Sequence, residues 1–401
     1  MLTNRQLFLD FIGQTSATPV MLEIARAEGV FLYGPSGEKY VDLISGVSVS
    51  NTGHRHPKEV EAIKNQIDSY LHLMVYGELI QSPQVKYAER LAGLLPGRLN
   101  NCFFVNSGSE AVEGALKLAK RYTGRSRIIY FRNSYHGSTH GALSVQGSEQ
   151  YKNSFRPLLP DTFLTVFNDP EVVNLIDRNT ACVITEPIQA EAGVIFPHND
   201  WLELLRQRCN ETGTLLIFDE VQTGFGRTGT MFAADRFKTI PDIIVLAKAL
   251  GGGLPLGAFI STKEIMSVLS FNPQLGHITT FGGHPVCCAA GLASLEVILE
   301  ENLVAECRRK SDLIKKNLIH PAVKEIRGEG LLLAVKLSDN ENVGFAVAHA
   351  PAFGLILDYF LFCGDSFRIA PPLTITDEEI LWSCSRLKKL LDNVMKNEKK
   401  I

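Results

Sequence analysis

The 401-residue chain has no uninterrupted apolar run of the roughly 18 residues that a membrane-spanning helix needs, which excludes an integral membrane protein of that kind. An excess of one charge sign is also missing: 40 Lys and Arg stand against 43 Asp and Glu, a net charge of −3. Nucleic acid and anionic membranes are therefore not expected as partners, and small molecules are. The eight cysteines include no CxxC pair, so no disulfide framework, zinc site or other metal site is suggested. Most of them sit in apolar runs as small core residues, which suits a reducing compartment. The opening MLTNRQLFLDFIG carries one arginine and an apolar stretch broken by Asp10, too little for a secretory signal, so the chain reads as cytoplasmic. Internal repeats, low-complexity tracts and Pro/Gly-rich linkers are absent. With 45% hydrophobic residues over this length, a large core is expected in place of disorder. The charged end KNEKKI reads as a solvated helix terminus and not a binding tail.

What is present is alternation. From about residue 101, short apolar runs recur: CFFV at 102–105, RIIYF at 127–131, ACVITEPI at 181–188, TLLIFDE at 214–220, DIIVLAK at 242–248 and LGAFIS at 256–261. Amphipathic segments such as EAVEGALKLAKRY and WLELLRQRCNETG lie between them, the second ending at Gly213 as a C-cap does. This pattern predicts an α/β fold with a mostly parallel sheet covered by helices. Ligands in such sheets bind beyond the carboxyl ends of the strands, so the polar residues after each run are the ones to inspect. Before the sheet, GVFLYGPSGEKYVDLIS predicts a hairpin turning at PSG. After residue 300 come a Lys-rich helix, the strand-like GLLLAVKL and FRIAPP, and a closing helix whose Thr376 and Glu379 are spaced as a capping box. The expected division is a large central domain at about 50–290 and a smaller α+β domain built from both ends, 1–49 and 291–401.

Three features could carry chemistry. Lys248 ends the otherwise apolar IIVLAK; desolvation there lowers a lysine's pKa and prepares it to condense with an aldehyde, although the same lysine could snorkel to solvent. The preceding strand ends in Asp219 and Glu220, with Gln222 close by. A carboxylate at a buried strand end needs a cationic partner, such as a protonated pyridine nitrogen, or else caps the next turn. In NSGSEAVEGALKLAKRY, Asn106, Ser107 and Gly108 join a strand to a helix beginning near Ser109, whose N–H groups could cradle a phosphate or simply form an ordinary cap. Gly224, Gly226 and Gly229 match GxGxxG, but DEVQT separates them from their strand, so dinucleotide binding is not supported.

Nine blocks in order make the chain resemble the class III aminotransferases of the ornithine, acetylornithine and GABA type. They are GHRHPKEVEAI, NSGSEAVEGALKLAKRYTGR, YHGSTHGALS, EPIQAEAGVIFP, LLIFDEVQTGFGRTG, PDIIVLAKALGGGLPLGAF, TTFGGHPVCCAA, IRGEGLL and FRIAPPLTIT. The resemblance implies the fold type I architecture of pyridoxal-phosphate enzymes. By it, Lys248 would carry the cofactor as a Schiff base and, once freed, move the substrate's proton; Asp219 would hold the pyridinium; Gln222 would bond the ring's phenolic oxygen. Val221 and Tyr135 would flank the ring, and Gly108 and Ser109 would donate to the phosphate. Thr280 would reach the phosphate of a neighbouring subunit, which implies a homodimer with the site at its interface. Glu186 would sit in the network near Gln222. Arg368 would bind the α-carboxylate of an amino or 2-oxo acid, and Glu191 would pair with it until that acid arrives.

The implied activity moves an amino group from an amino acid or ω-amine to a 2-oxo acid such as 2-oxoglutarate or pyruvate. Aminomutase, racemase and decarboxylase chemistry use the same lysine and carboxylate and stay open here, and a non-catalytic binding protein is the further alternative. Two departures bear on the donor: Ser138 in YHGS stands where the family has an arginine for the far carboxylate, and Val47 lacks a pocket tyrosine. Arg132 or another residue could replace the missing cation.

Overall fold

A computed structural model describes residues 2–198 and 200–398, so the terminal KNEKKI lies outside the described residues from Lys399 onward. Seven strands form the central sheet. In chain order they are β1 (Asn101–Val105), β2 (Arg127–Phe131), β3 (Thr162–Thr165), β4 (Thr180–Thr185), β5 (Leu215–Asp219), β6 (Ile243–Leu246) and β7 (Gly257–Ser261), arranged in space as β1-β7-β6-β5-β4-β2-β3. β2 pairs in parallel with β3 and β4, β4 with β5, and β5 with β6, whereas β7 runs antiparallel to both neighbours. The expected runs all became strands: 127–131 with the bounds expected, 102–105 longer by one residue at its start, and the other four trimmed by one to three residues, mostly where the chain turns toward polar groups. The four-residue edge strand β3, TFLT, was not anticipated: half of it faces solvent, and it carries too few apolar residues to stand out.

The central strands are buried on both faces, which is why they read as continuous apolar runs instead of alternating ones. Period two still sorts their side chains. Ile128, Tyr130, Cys182, Ile184, Leu215 and Ile217 join one core, under helix α1 (Gly108–Thr123); Ile129, Phe131, Val183, Leu216 and Phe218 join another, against the helix Trp201–Thr212. Each such side chain is worth about 1.5–3 kcal/mol when fully buried; the largest cluster of buried apolar residues lies elsewhere, where the helices Pro285–Glu300, Leu303–Asn317 and Asp377–Glu398 meet the terminal strands. Gly114 in the middle of α1 has a steric reason: a Cβ there would lie 2.2 Å from the Phe259 ring. Gly213 closes the second helix in the left-handed conformation expected of it.

The two ends of the chain build the remaining sheets. Strands Arg26–Glu28, Phe31–Tyr33 and Lys39–Asp42 make the anticipated hairpin and are extended in parallel by Leu355–Ile356. Glu325–Glu329, Leu332–Lys336, Cys363–Ile369 and Asp358–Phe360 form an antiparallel sheet, and the closing helix Asp377–Glu398 starts with the Thr376–Glu379 box closed in both directions. Among the described residues all eight cysteines are unbonded and six are buried, and no helix is long and apolar enough to cross a membrane.

Ser45, Gly46, Val47 and Ser48 have φ of 44°, 61°, 63° and 64°, a left-handed turn that costs a non-glycine residue about 1–2 kcal/mol each. One restraint is local and the others come from far away. Asp42 accepts from the N–H groups of Ile44 and Ser45 (2.9 and 2.8 Å), and Ser45 Oγ donates to the carbonyl of Ala370 (2.7 Å). Arg227, wholly buried, donates to Ser45 Oγ (3.0 Å), Asn51 Oδ1 and the carbonyls of Leu331 (2.9 Å) and Pro371 (2.5 Å). The GFGRTG loop thus supplies the cation of a structural clasp. Replacing Arg227 by Met should leave those oxygens unpaired and lower unfolding free energy by about 3–5 kcal/mol in urea titrations. A loss below about 1 kcal/mol would show that the clasp is not needed.

Candidate active site

Every parallel strand of the central sheet ends at the same rim, and a cavity of about 680 Å³ opens there. Asn106, Ser107, Gly108 and Ser109 come to it from the end of β1, Tyr135 to Thr139 from beyond β2, and Glu186 and Glu191 from beyond β4. Asp219, Val221, Gln222 and Thr223 arrive from β5, and Lys248 from β6; Pro255 and Leu256 are added because antiparallel β7 begins at this rim. Of the eleven residues anticipated from sequence, nine line the cavity. Arg368 lies behind Glu191, and Thr280 is exposed on the outer surface, where its neighbour Thr279 accepts from Asn106 (3.0 Å).

Lys248 follows β6 with φ of 51°, a left-handed backbone that turns its side chain into the cavity, and its Nζ donates to Gln222 Oε1 (3.1 Å). Desolvation lowers its ammonium to about 8; Glu191 opposes the shift, Arg368 adds to it, and Asp219 and Glu186 oppose it. Asp219 is held on both oxygens: Oδ1 accepts from the N–H of Val221 (3.0 Å) and Oδ2 meets His136 Nδ1 at 2.7 Å. His136, 3% exposed, escaped the sequence reading because it looks like one more letter of YHGS; its signal was a histidine directly after a cavity aromatic. Glu220 points the other way and accepts from Thr223 and the N–H groups of Ala233 and Ala234, which is the turn-capping role open to either acid in the sequence. Glu186 accepts from the N–H groups of Tyr135 and Ala190 (2.9 Å each); burial pushes its carboxyl up to about 7, His136 pulls it down and Asp219 pushes it further up.

Helix α1 begins at Gly108, one residue before the expected start, with Ser107 as its N-cap: Ser107 Oγ accepts from Glu110 N–H (3.1 Å) and its carbonyl from Ala111 N–H (3.0 Å). The N–H groups of Gly108 and Ser109, at the positive end of a 16-residue helix, have no intrahelical acceptor. Ser109 Oγ bonds Thr139 Oγ1 (2.7 Å), which is itself anchored on Glu113 (2.6 Å). Gly137, at φ 122°, allows this approach, since a Cβ there would sit 2.4 Å from Ser109 Oγ.

These groups fit pyridoxal phosphate. A helix start suits the phosphate, and a buried carboxylate backed by a histidine suits a protonated pyridine. Gln222 Nε2, buried without a partner among the described residues, leaves an amide hydrogen for an oxygen of the ring.

Glu191 and Arg368 form a buried ion pair, Nη2 to Oε1 at 2.5 Å, with Arg368 1% exposed. Leu361 N–H holds the other oxygen of Glu191 (3.1 Å), and the Phe360 ring lies 4.7 Å from the guanidinium. Among the described residues no guanidinium lines the cavity: Ser138 is exposed at its wall, 3.3 Å from Tyr135 Oη, and Arg132 is exposed outside the lining, so it does not replace the missing cation. Val47 is turned out of the lining by the left-handed turn, and Val49 takes that place.

A parallel sheet with a lysine and a carboxylate at adjacent strand ends and a phosphate cradle at a helix start defines an α/β enzyme of the pyridoxal-phosphate type. Residues 12–391 match the family described as Aminotransferase class-III. An acetylornithine aminotransferase of Methanopyrus kandleri is 40% identical over 370 residues, 91% of this chain and 92% of that protein. An ornithine aminotransferase structure from Toxoplasma gondii, with partial occupancy of PLP at its active site, has a TM-score of 0.90 at 30% identity and covers 98% of this chain and 94% of its own. An (S)-enantioselective omega-transaminase from Thermomicrobium roseum has a TM-score of 0.88 at 28% identity, covering 97% of each. The chain belongs to the class III aminotransferases and is a pyridoxal-phosphate-dependent transaminase.

Only the free amine of a lysine condenses with aldehydes. In cofactor-free protein, labelling of Lys248 by an aldehyde with cyanoborohydride, read by mass spectrometry, should rise with pH through a midpoint of about 8. A midpoint at the ordinary lysine value of about 10.4 would contradict the desolvated site.

Proposed function

We propose that this transaminase takes an ω-amine, ornithine-like in presenting a terminal amine first, and passes its amino group to a 2-oxo acid such as 2-oxoglutarate or pyruvate. The observation that carries the reading is the buried Glu191–Arg368 pair: with the arginine neutralised, the inner cavity offers a donor no cation for an α-carboxylate. When the 2-oxo acid arrives, Glu191 leaves and frees Nη2 of Arg368, and a guanidinium can grip the incoming carboxylate through two of its nitrogens.

Bound pyridoxal phosphate supplies the electron sink for the carbanion formed at the amine-bearing carbon. Gly108 and Ser109 hold its phosphate through backbone N–H groups, Gln222 donates to the ring oxygen, and Val221 and Tyr135 flank the ring. Asp219, oriented by His136, keeps the ring nitrogen protonated, while Glu186 fixes the backbone that carries Tyr135. Lys248 would hold the cofactor covalently, and once freed its lowered pKa would suit it to move the proton at the amine-bearing carbon. Thr280 on the outer surface serves the phosphate of a second copy, which makes the working unit a homodimer. The division into a cofactor domain at about 50–290 and a smaller domain from both ends matches this allocation. Eight unbonded thiols support a cytoplasmic setting.

Ser138 shapes the donor. A carboxylate at the donor's far end would meet hydroxyl groups of this chain and no guanidinium, so acetylornithine and GABA are poorer candidates than an amine with a neutral tail.

Single-turnover absorbance tests the reading. Donor added without 2-oxo acid should convert the aldehyde form of the cofactor to its amine form. In Glu191→Gln the rate with α-amino acids should rise about tenfold relative to ω-amines, the loss of one charge-assisted bond that competes for Arg368. Unaltered donor preference would refute the gate. Ser138→Arg should raise kcat/KM for donors with a distal carboxylate by about tenfold, and no gain would mean that the serine does not set this preference.

A further inference from the structure

We infer that Asp358 is a positioning residue of the amino-acid gate: it holds Arg368 from the side opposite Glu191 so that the ion pair can open without leaving a bare buried cation. This rests on the reading that Glu191 releases Arg368.

Asp358 and Arg368 face each other directly across neighbouring antiparallel strands, with Asp358 Oδ2 3.6 Å from Nη1 of the guanidinium. Glu191 occupies Nη2, so the cation stands between two carboxylates reached through different nitrogens. Among the described residues Nη1 and Nε have no hydrogen bond, and Asp358 is the carboxylate nearest on that side. The Asp358 carboxylate is fixed by the N–H of Tyr359 (2.8 Å). Its side chain is 30% exposed and borders a second cavity, of about 730 Å³, together with Ile44 and Leu357. Glu191, in contrast, is 7% exposed and sits on the active-site side. Two residues past Tyr359, Leu361 N–H is the other anchor of Glu191. One short segment, 358–361, therefore supports both members of the gate.

The energetic role follows from comparing three arrangements. In the closed gate Asp358 attracts Arg368 and repels Glu191. In the loaded gate it attracts Arg368 and repels the substrate carboxylate that has replaced Glu191, so the two contributions nearly cancel. Only between them, when Glu191 has left and substrate has not arrived, is Asp358 the sole counter-charge of a buried guanidinium, and breaking a buried pair is costly when no such counter-charge remains. Asp358 should thus speed opening without choosing between the closed and loaded states. Its loss should slow the half-reaction that needs an open gate, the one with the 2-oxo acid, more than the half-reaction with an ω-amine.

The test is a double-variant cycle on the holoenzyme, with both half-reactions followed by cofactor absorbance: Asp358→Asn, Glu191→Gln and the two combined. The expected result is that Asp358→Asn lowers the ratio of 2-oxo-acid to ω-amine half-reaction rates by about tenfold. In the Glu191→Gln background, where no ion pair has to open, the same change should leave that ratio within about twofold. An undiminished effect in that background would overturn the proposal, because Asp358 would then act on bound substrate or on the fold. An unchanged or raised ratio in the single variant would overturn it too. If Glu191→Gln itself leaves donor preference as it was, the gate fails and Asp358 loses its role with it; if Glu191→Gln shifts preference and Asp358→Asn does not slow opening, the gate stands and only this inference falls. Circular dichroism and Asp358→Ser as a second variant separate misfolding from loss of the charge.

Discussion

A buried guanidinium whose hydrogen bonds all go to neutral oxygens holds this molecule together. Arg227 sits where three parts of the chain meet: the glycine-rich loop after β5, the left-handed turn at 45–48 and the backbone on either side of the strand that carries Arg368. Neutral oxygens take its hydrogens, and burial lowers its pKa to about 10, the desolvation effect far outweighing the distant help of Cys307 and Asp42. Such a site is costly to build, and it fixes direction as well as distance, because five donors in a planar fork accept few arrangements. Since Ser45 and Pro371 are clasped by the same side chain, the wall bearing Val49 and the strand bearing Arg368 are held in one register relative to Asp219 and Gln222, which leave β5 just before the loop. The precision of the cavity descends from this contact.

The cavity itself manages charge by topology more than by counting. Parallel strands bring their carboxyl ends to one rim, and the helix after β1 presents its positive end there, so an anionic phosphate needs no basic side chain. The acids are divided by environment. Asp219 meets a histidine and a backbone N–H, Glu186 is buried against two backbone N–H groups and is pushed toward neutrality, and Glu191 is matched to a guanidinium. These settings give three carboxyl groups three different tasks within one small space. A protein of nearly zero net charge can in this way handle phosphate and carboxylates without a basic surface.

Much of this was legible in the chain because buried parallel strands must be apolar throughout and must end in polar residues. The runs that became β1, β2, β4, β5, β6 and β7 announced themselves, and so did Lys248, Asp219, Gln222 and the cradle at Gly108, each at the end of one of them. The resemblance to the aminotransferases added Glu191 and Arg368, which no strand-end rule would have joined across 177 positions. What escaped was decided by contacts remote in sequence. His136 takes its meaning from Asp219, 83 residues away. Asp358 lies in a weakly patterned three-residue strand and matters only because Arg368 is opposite. Val49 lines the cavity and Val47 does not, beside a left-handed turn that no local preference favours and that Asp42, Arg227 and Ala370 restrain. Edge strand β3 was hidden for the simpler reason that half of it faces water.

That turn also has a history within each molecule. Ser45 leaves the ribosome early, yet the partner that holds it, Arg227, comes 182 residues later, and Ala370, which accepts its hydroxyl, 325 residues later. A segment that is unfavourable on its own cannot hold its shape until those partners exist, and long loop closures are late events. The strands β2 to β7 can pair while the chain is still being made, and β1, whose one neighbour in the sheet is β7, joins them once β7 has emerged, still ahead of Ala370. The amino-terminal wall and the strand of Arg368 must then close over it together, so a nascent chain exposes a formed cofactor cradle before it owns a complete substrate pocket.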